Sequence, residues 1–342
     1  MIKLVKLSSL LILFACAQVT SLNLKKHQFG KIPTKIIWIQ VAGLSSEHLA
    51  MLKFSYPKGD QKTSFENALC IGSTWDYNLY KIRPSAYEGF LSQITGKKNI
   101  KNECSDYSQK PIWKYIGKKG YKIGILEGEM TKKQSLMRSL DCKQGDKYLD
   151  EVTLWKMSKK AGKQVDYFHI NEKINYKNGK KYYDKSCLTG DCFTSISHNV
   201  EGTFKTFSKN SKNYLYIVRN FNYMNFLKQN KVKQARAELI EINSMVNYFQ
   251  KIAQKSSDVL VLISSAGAID LEFPTSGKQW KDYERGKRKL RINNSKLLSS
   301  VYASGARAEN FCGIFDQNQI LSRIFSGSKQ QGLEFSIINP FK

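Results

Sequence analysis

Lys35-Ile36-Ile37-Trp38-Ile39-Gln40-Val41-Ala42-Gly43-Leu44 decides how the rest of the chain is read. The run is apolar, rich in β-branched side chains, and stops at a glycine. Such a stretch fits a strand buried on both faces at the centre of a parallel sheet. In open α/β sheets, ligands and catalytic groups gather just past the carboxyl ends of strands of this kind. The residue at that end is Ala42, which neither coordinates a metal nor carries a proton.

Working outward, Ser45-Ser46-Glu47-His48 caps a predicted helix through Leu49, Met51 and Leu52. Residues 65–71 read as a short strand. Arg83-Pro84-Ser85-Ala86-Tyr87-Glu88 opens a helix that a glycine, Gly96, ends. Pro111 starts a short helix, and residues 120–126 return as a strand. Strand, helix and strand in succession predict an α/β fold, three-layer α/β/α with a mostly parallel central sheet. From about residue 140 to 212 the periodicity dissolves into a Lys-rich, Cys-containing stretch, read as an insertion or cap over the sheet. A buried strand over 214–218 follows. The long helix over 231–255 carries Leu239, Ile242, Met245, Val246, Phe249 and Ile252 on one apolar stripe. Residues 258–264 form a strongly apolar strand, and 300–303 another. Asp316, with Gln319 three residues on, reads as the N-cap of a final helix.

The chain has 342 residues, and 55 Lys and Arg against 28 Asp and Glu give a formal charge of +27. Solvated lysine faces would account for part of this excess. The functional reading is attraction to a polyanion: an acidic envelope polymer, anionic lipid or nucleic acid. No specific nucleic-acid motif is present. Residues 1–17 read as an export signal, with Lys3 and Lys6, a short apolar core, and Ala15-Cys16-Ala17 as cleavage pattern. About eleven apolar residues are too few to span a bilayer as a helix. Leu13-Phe14-Ala15-Cys16 also matches a lipoprotein pattern, so lipid attachment through Cys16 stands beside free release to a periplasmic or extracellular space. Residues 18–342 are then a single α/β domain. Its cysteines, Cys70, Cys104, Cys142, Cys187, Cys192 and Cys312, form an even set that fits disulfides in an oxidising compartment. Cys187 and Cys192 bracket four residues and are placed to close a small loop. No Cys-x-x-Cys pair occurs.

Five stretches in order resemble the alkaline phosphatase and sulfatase superfamily: the opening strand to Ala42-Gly43-Leu44; the Pro84-Ser85 helix closing on Thr95-Gly96; residues 113–126; the long helix into Val259-Leu260-Val261-Leu262-Ile263-Ser264-Ser265-Ala266-Gly267; and Val301-Tyr302-Ala303-Ser304-Gly305 through Gln317. The resemblance implies an alkaline-phosphatase-like fold. It also implies two metal ions held by Asp and His beside a Ser, Thr or modified Cys nucleophile, the ions polarising phosphate or sulfate oxygens. Such ions need carboxylate and imidazole donors.

Set against that pattern, the chain lacks the donors. Ala42 stands where the first strand usually ends in Asp. Ser265 and Ala266 stand between Ser264 and Gly267, where Asp-His is usual. The final histidine falls near Asn294. The middle Asp-x-x-x-His falls on Asn222 and Phe226, or on Phe221 and Asn225. Independently of register, no Asp lies between Asp191 and Asp258, and none of the four histidines follows His198. The nucleophile slot falls on Ala86 or Ile82. Ser85 is the neighbouring alcohol, with Ser73 and Thr74 more distant. His48 is read as a surface residue of its helix, and His169 and His198 as ordinary residues in or near the insertion. Asp270 and Glu272 are read as exposed loop acids.

Two functions follow from the resemblance. One is a catalytically silent superfamily member, a pseudoenzyme that binds an anionic ligand and needs no cofactor. The other is an active phosphate- or sulfate-ester hydrolase with zinc or another divalent pair in a rebuilt site, drawing on Glu47, Asp270 or Glu272 near Ser85.

Overall fold

The computed structural model describes residues 31–54, 62–145, 147–160, 165–172, 174–190, 192–209, 211–293 and 295–325. The export signal over 1–17 with Cys16, and Asn294, lie outside the described residues. In chain order the main elements are β1 (Lys35–Ala42), α1 (Ala50–Lys53), β2 (Cys70–Trp75), α2 (Ala86–Thr95), α3 (Ile112–Ile116), β3 (Lys122–Glu127), β4 (Val152–Lys156), β5 (Asp166–Phe168) and β6 (Lys181–Asp184). They continue with α4 (Ile196–Ser208), β7 (Tyr214–Asn220), α5 (Asn222–Lys228), α6 (Val232–Ala253), β8 (Val259–Ala266), α7 (Gly277–Glu284), β9 (Leu298–Gly305), β10 (Gly313–Asp316) and α8 (Ile320–Phe325).

All ten strands join one sheet in the order β10-β2-β9-β8-β1-β7-β3-β4-β6-β5. β9 is antiparallel to β8 and β2, and every other strand pairing within the sheet is parallel. β1 sits between β7 and β8, buried from Ile36 through Ala42, as its mostly apolar run requires. Alternation along the strands splits the side chains between two helical layers. Tyr216 faces Phe249 of α6, whereas Ser264 reaches Gln93 of α2. The mostly parallel α/β sheet with helices on both sides is the architecture the sequence predicts.

α2 shows how locally the chain enforces this frame. Ser85 Oγ accepts the Glu88 N–H, and Glu88 accepts the Ser85 N–H at 2.6 Å, a reciprocal N-cap. Gly96 ends the helix in the left-handed region at φ 70°, which a side chain would oppose.

Three local expectations need correction. The strand expected over 65–71 lies at Cys70–Trp75, and Phe65 is instead a buried turn residue packed edge-on against Tyr302. The stretch 140–212 adds β4, β5 and β6, which extend the same sheet in parallel, together with α4. Asp316 does not cap a helix with its side chain. It ends β10 and pairs with Lys98 at 2.6 Å, and a 3-10 turn over Gln317–Gln319 precedes α8. The segment after Ser45 begins as a 3-10 turn, Ser46–Leu49, and its tighter winding turns His48 inward.

All six cysteines of the domain are paired: Cys70 with Cys312, Cys104 with Cys142, and Cys187 with Cys192. The small loop read from the sequence is therefore closed. No described helix is long and apolar enough to cross a membrane.

Candidate site at the carboxyl ends of the central strands

The strand ends that the sequence singled out converge. In β1, Val41 pairs with Asn220 of β7 and Ser265 of β8, and Ala42 pairs with Ala266. Ala42, Ser265 and Ala266 are all fully buried. Backbone bonds close the space above them: Gly43 donates to the Ala266 carbonyl at 3.0 Å, and Ile269 donates to the Gly43 carbonyl at 3.0 Å. Met224 and Ile269 crowd Gly43, so that a side chain there would meet Met224 Cβ at 3.0 Å. On the other side Gly267, at φ 60°, lies against Ala86, leaving about 3.0 Å between a hypothetical Cβ and the Ala86 nitrogen. Ala86, one of the two residues on which the expected nucleophile slot falls, thus lies beside the end of β8. Ser85 lies next to it and is exposed, with its oxygen engaged as the α2 cap.

One residue deeper runs a polar row that sequence reading missed. Lys156, Glu127, Arg219, Gln40 and Ser264 stand in register on β4, β3, β7, β1 and β8. Lys156 Nζ donates to Glu127 Oε2 at 2.8 Å, Arg219 Nη1 to Glu127 Oε1 at 2.7 Å, and Arg219 Nε to Gln40 Oε1 at 3.2 Å. Ser135 Oγ and the Leu136 N–H complete the Glu127 shell. Trp38 Nε1 donates to Ser264 Oγ, which donates to Gln93 Oε1. The Arg219 guanidinium also lies 5.8 Å from the centre of the Tyr87 ring and 5.5 Å from that of Phe221. Burial alone would raise the Glu127 pKa. The Lys156 and Arg219 charges and their hydrogen bonds outweigh it and hold the carboxyl at about 2. The signal was present in the sequence: three apolar strand runs each end in a charge, Leu126-Glu127, Trp155-Lys156 and Val218-Arg219.

Other groups near the strand ends are committed as well. His48 is fully buried, not on the surface as expected. Its Nδ1 lies 2.8 Å from the Tyr223 hydroxyl and accepts the Ser45 N–H at 3.3 Å. Burial pushes its pKa down to about 3, so it is neutral near pH 7. Asn220 Nδ2 donates to Glu238 on α6, whose carboxyl burial pushes up to about 7. Asp76, just past β2, is another acid the sequence did not reveal. Its Oδ2 accepts from Ser299 Oγ at 2.5 Å and from the Gly267 N–H at 2.9 Å, and burial raises its pKa to about 7 against those bonds.

The structure brings Glu47 and Asp270 together, but around Lys296, at 2.6 Å and 3.5 Å, while Glu272 pairs with Arg291. Among the alternatives for the middle slot, Asn222, Asn225 and Phe226 lie on α5. They line an open cavity of about 630 Å³ with Thr131, Lys159 and Lys231. Asn225 also bonds Gln134. Phe221 is buried below, edge-on to Phe90. Thr74 is buried within β2, and Ser73 is partly covered there, pairing with Ser300. His198 is exposed and bonded to Ser195 on α4, and His169 sits in a turn after β5.

A search of solved structures finds the same fold in alkaline phosphatases. The fold matches alkaline phosphatase from the Antarctic bacterium TAB5 at a TM-score of 0.62, with 14% identity over 86% of this chain and 98% of that one. The chain has the alkaline phosphatase fold. The cold-active alkaline phosphatase of the psychrophile Shewanella sp. gives 0.64 at 11% identity, covering 85% of this chain and 98% of that one. The Thermus thermophilus enzyme gives 0.63 at 11% identity, covering 90% and 94%. No protein-family model and no curated protein matches the sequence.

The residues present do not fit the metal pair that an alkaline-phosphatase-like site implies. Ala42, Asn220, Ser265 and Ala266 offer no carboxylate or imidazole, and the nearest carboxylate in the row, Glu127, spends its oxygens on Lys156, Arg219, Ser135 and Leu136. Among the described residues, one trio of potential ligands lies close enough for an ion: Asp184, Cys187 and Cys192. Its two sulfurs are bonded to each other.

Proposed function

We propose that this chain is an exported, catalytically silent protein of alkaline-phosphatase-like fold that binds an anionic ligand. One observation carries the reading: the strand ends where such a fold would place its metal ligands are occupied by Ala42, Ser265 and Ala266, closed off by backbone bonds, with Ala86 beside the end of β8. An alcohol without a base or a metal beside it is a weak nucleophile, and Ser85 has neither role open to it while it caps α2.

The ligand reading rests on charge and on the displaced opening. The 630 Å³ cavity lies at the carboxyl ends of β3, β4 and β7, where Lys159, Lys231, Asn222 and Asn225 offer cations and amide donors to a phosphate or sulfate group. Export is supported by three disulfides, which persist in oxidising compartments.

A rebuilt hydrolase site is the second reading, favoured by Asp76, a buried carboxylate one hydrogen bond from Gly267. A single carboxylate does not hold a metal pair. Protein purified without chelator is titrated with zinc and magnesium and assayed on aryl phosphate and aryl sulfate esters. The proposal expects less than one equivalent of bound metal and no turnover. Two equivalents with turnover that Asp76→Asn abolishes would establish the second reading instead. Dextran sulfate is the probe for the ligand, and Lys159→Ala with Lys231→Ala should weaken its binding.

A further inference from the structure

At the β10–β2 edge of the sheet, far from the cavity, large apolar side chains stand in water. Leu79 is 67% exposed, Ile82 72% and Ile314 61%, and Trp75, Tyr77 and Tyr80 are exposed beside them. Trp75, Tyr77, Asn78, Ile82 and Leu297 surround a shallow depression of about 320 Å³. Ile314 joins them through Ser73, its register partner on β2, two residues from Trp75. Scattered apolar residues on a surface need no explanation, but a contiguous patch marks an interaction site.

The rim is cationic and is built into the patch. The Lys98 ammonium sits 4.4 Å above the centre of the Tyr77 ring and donates to its hydroxyl at 3.0 Å, and the Lys101 ammonium sits 4.8 Å from the centre of the Tyr80 ring. Lys97 and Arg83 are exposed nearby. Trp and Tyr beside Lys, with aliphatic tips beyond, is the composition that settles at the boundary between headgroups and acyl chains. Lysines there gain from the negative potential of an anionic leaflet. A second copy is the poorer occupant, because it would bring another lysine rim and another chain of charge +27 against the first.

We propose that the 75–82 face docks on an anionic lipid bilayer, Leu79 and Ile82 entering the acyl boundary and Lys97 and Lys101 meeting headgroup phosphates, while Lys98 is held by Asp316. This is independent of what the cavity near Lys159 binds.

The test is cosedimentation of the full chain with phosphatidylcholine vesicles, with and without one quarter phosphatidylglycerol. The wild type should bind the phosphatidylglycerol vesicles. Leu79→Ser with Ile82→Ser should lower its partition coefficient by at least about tenfold, as expected for two apolar side chains withdrawn from the interface. Both positions are exposed, and unchanged melting temperatures confirm that the variant folds. Lys177→Glu, on the loop before β6 at the far end of the sheet, should change binding less than about twofold, a single charge on a remote surface. Equal binding by the double variant overturns the proposal, as does an equal loss in Lys177→Glu. Concentration-dependent dimerisation that the double variant abolishes, with vesicle binding unchanged, assigns the face to a second copy instead.

Discussion

Arg219 Nη1 meets Glu127 Oε1 at 2.7 Å between β7 and β3, and neither side chain reaches solvent. Lys156 sits on the other oxygen of the same carboxylate. Two buried cations therefore share one anion, two residues below the level at which Ala42 and Ala266 end their strands. Removing the anion leaves two uncompensated cations in a dry space, whereas removing all three exchanges them for packing. Glu127→Leu should destabilise the protein by roughly 3–5 kcal/mol, read from urea denaturation. The triple variant Lys156→Met, Glu127→Leu, Arg219→Met should recover most of that loss. A triple variant less stable than the single one would show that the row contributes net stability rather than mutual compensation.

Restoring one ligand should not restore a site. Ala42→Asp places a carboxylate at a fully buried position, with Ala266 as its cross-strand partner on β8. The expected cost is roughly 3 kcal/mol or more. Millimolar zinc should leave the melting temperature of this variant unchanged, and a rise would mean that other donors are within reach.

Asp76 should make stability fall as pH rises. Its carboxyl is raised from 3.8 to about 7 by burial, so the folded chain holds a proton that the unfolded chain releases. The contribution is complete below about pH 4 and lost as pH climbs through 7, on the order of 4 kcal/mol over that window. Glu238 contributes in the same direction. Asp76→Asn should flatten the decline, visible as the difference between wild-type and variant urea midpoints across the range. His48 works oppositely. Burial lowers it to about 3, so its contribution is present above 6.5 and lost as acid protonates it in the unfolded chain first.

The pairing of Cys70 with Cys312 spans 242 residues. Closing so long a loop removes much of the freedom of the unfolded chain. Cys70→Ser with Cys312→Ser should therefore cost about 5 kcal/mol by the chain-entropy relation. Calorimetry of the two forms checks this, and a loss under about 1 kcal/mol would place the stabilisation elsewhere.

What the sequence made legible follows from local physics. β1, β7 and β8 are mostly apolar runs, and burial on both faces leaves them no other placement. α2 carries its own start and stop in Ser85, Glu88 and Gly96. The rest depended on partners distant in sequence. Asp316 has the spacing of a helix cap, yet pairing with Trp75 draws it into β10 and Lys98 takes its carboxylate. β5 and β6 have three and four residues and little periodicity, and only the neighbouring β4 makes them strands. The absent donors at Ala42, Ser265 and Ala266 were readable one by one. The row beneath them was not, because register alone aligns Lys156, Glu127, Arg219 and Gln40, residues scattered over more than half the chain.

β2 takes its neighbours from β9 and β10, both more than two hundred positions downstream. A ribosome releasing this chain therefore emits Ile71 and Trp75 long before anything exists to lie beside them. The early strand must wait, unzipped and sticky, until those two hundred and more positions have followed it. The step that bonds Cys70 to Cys312 is thus a clasp fastened late in assembly, and a holding chaperone would have its longest task at this one margin of the molecule.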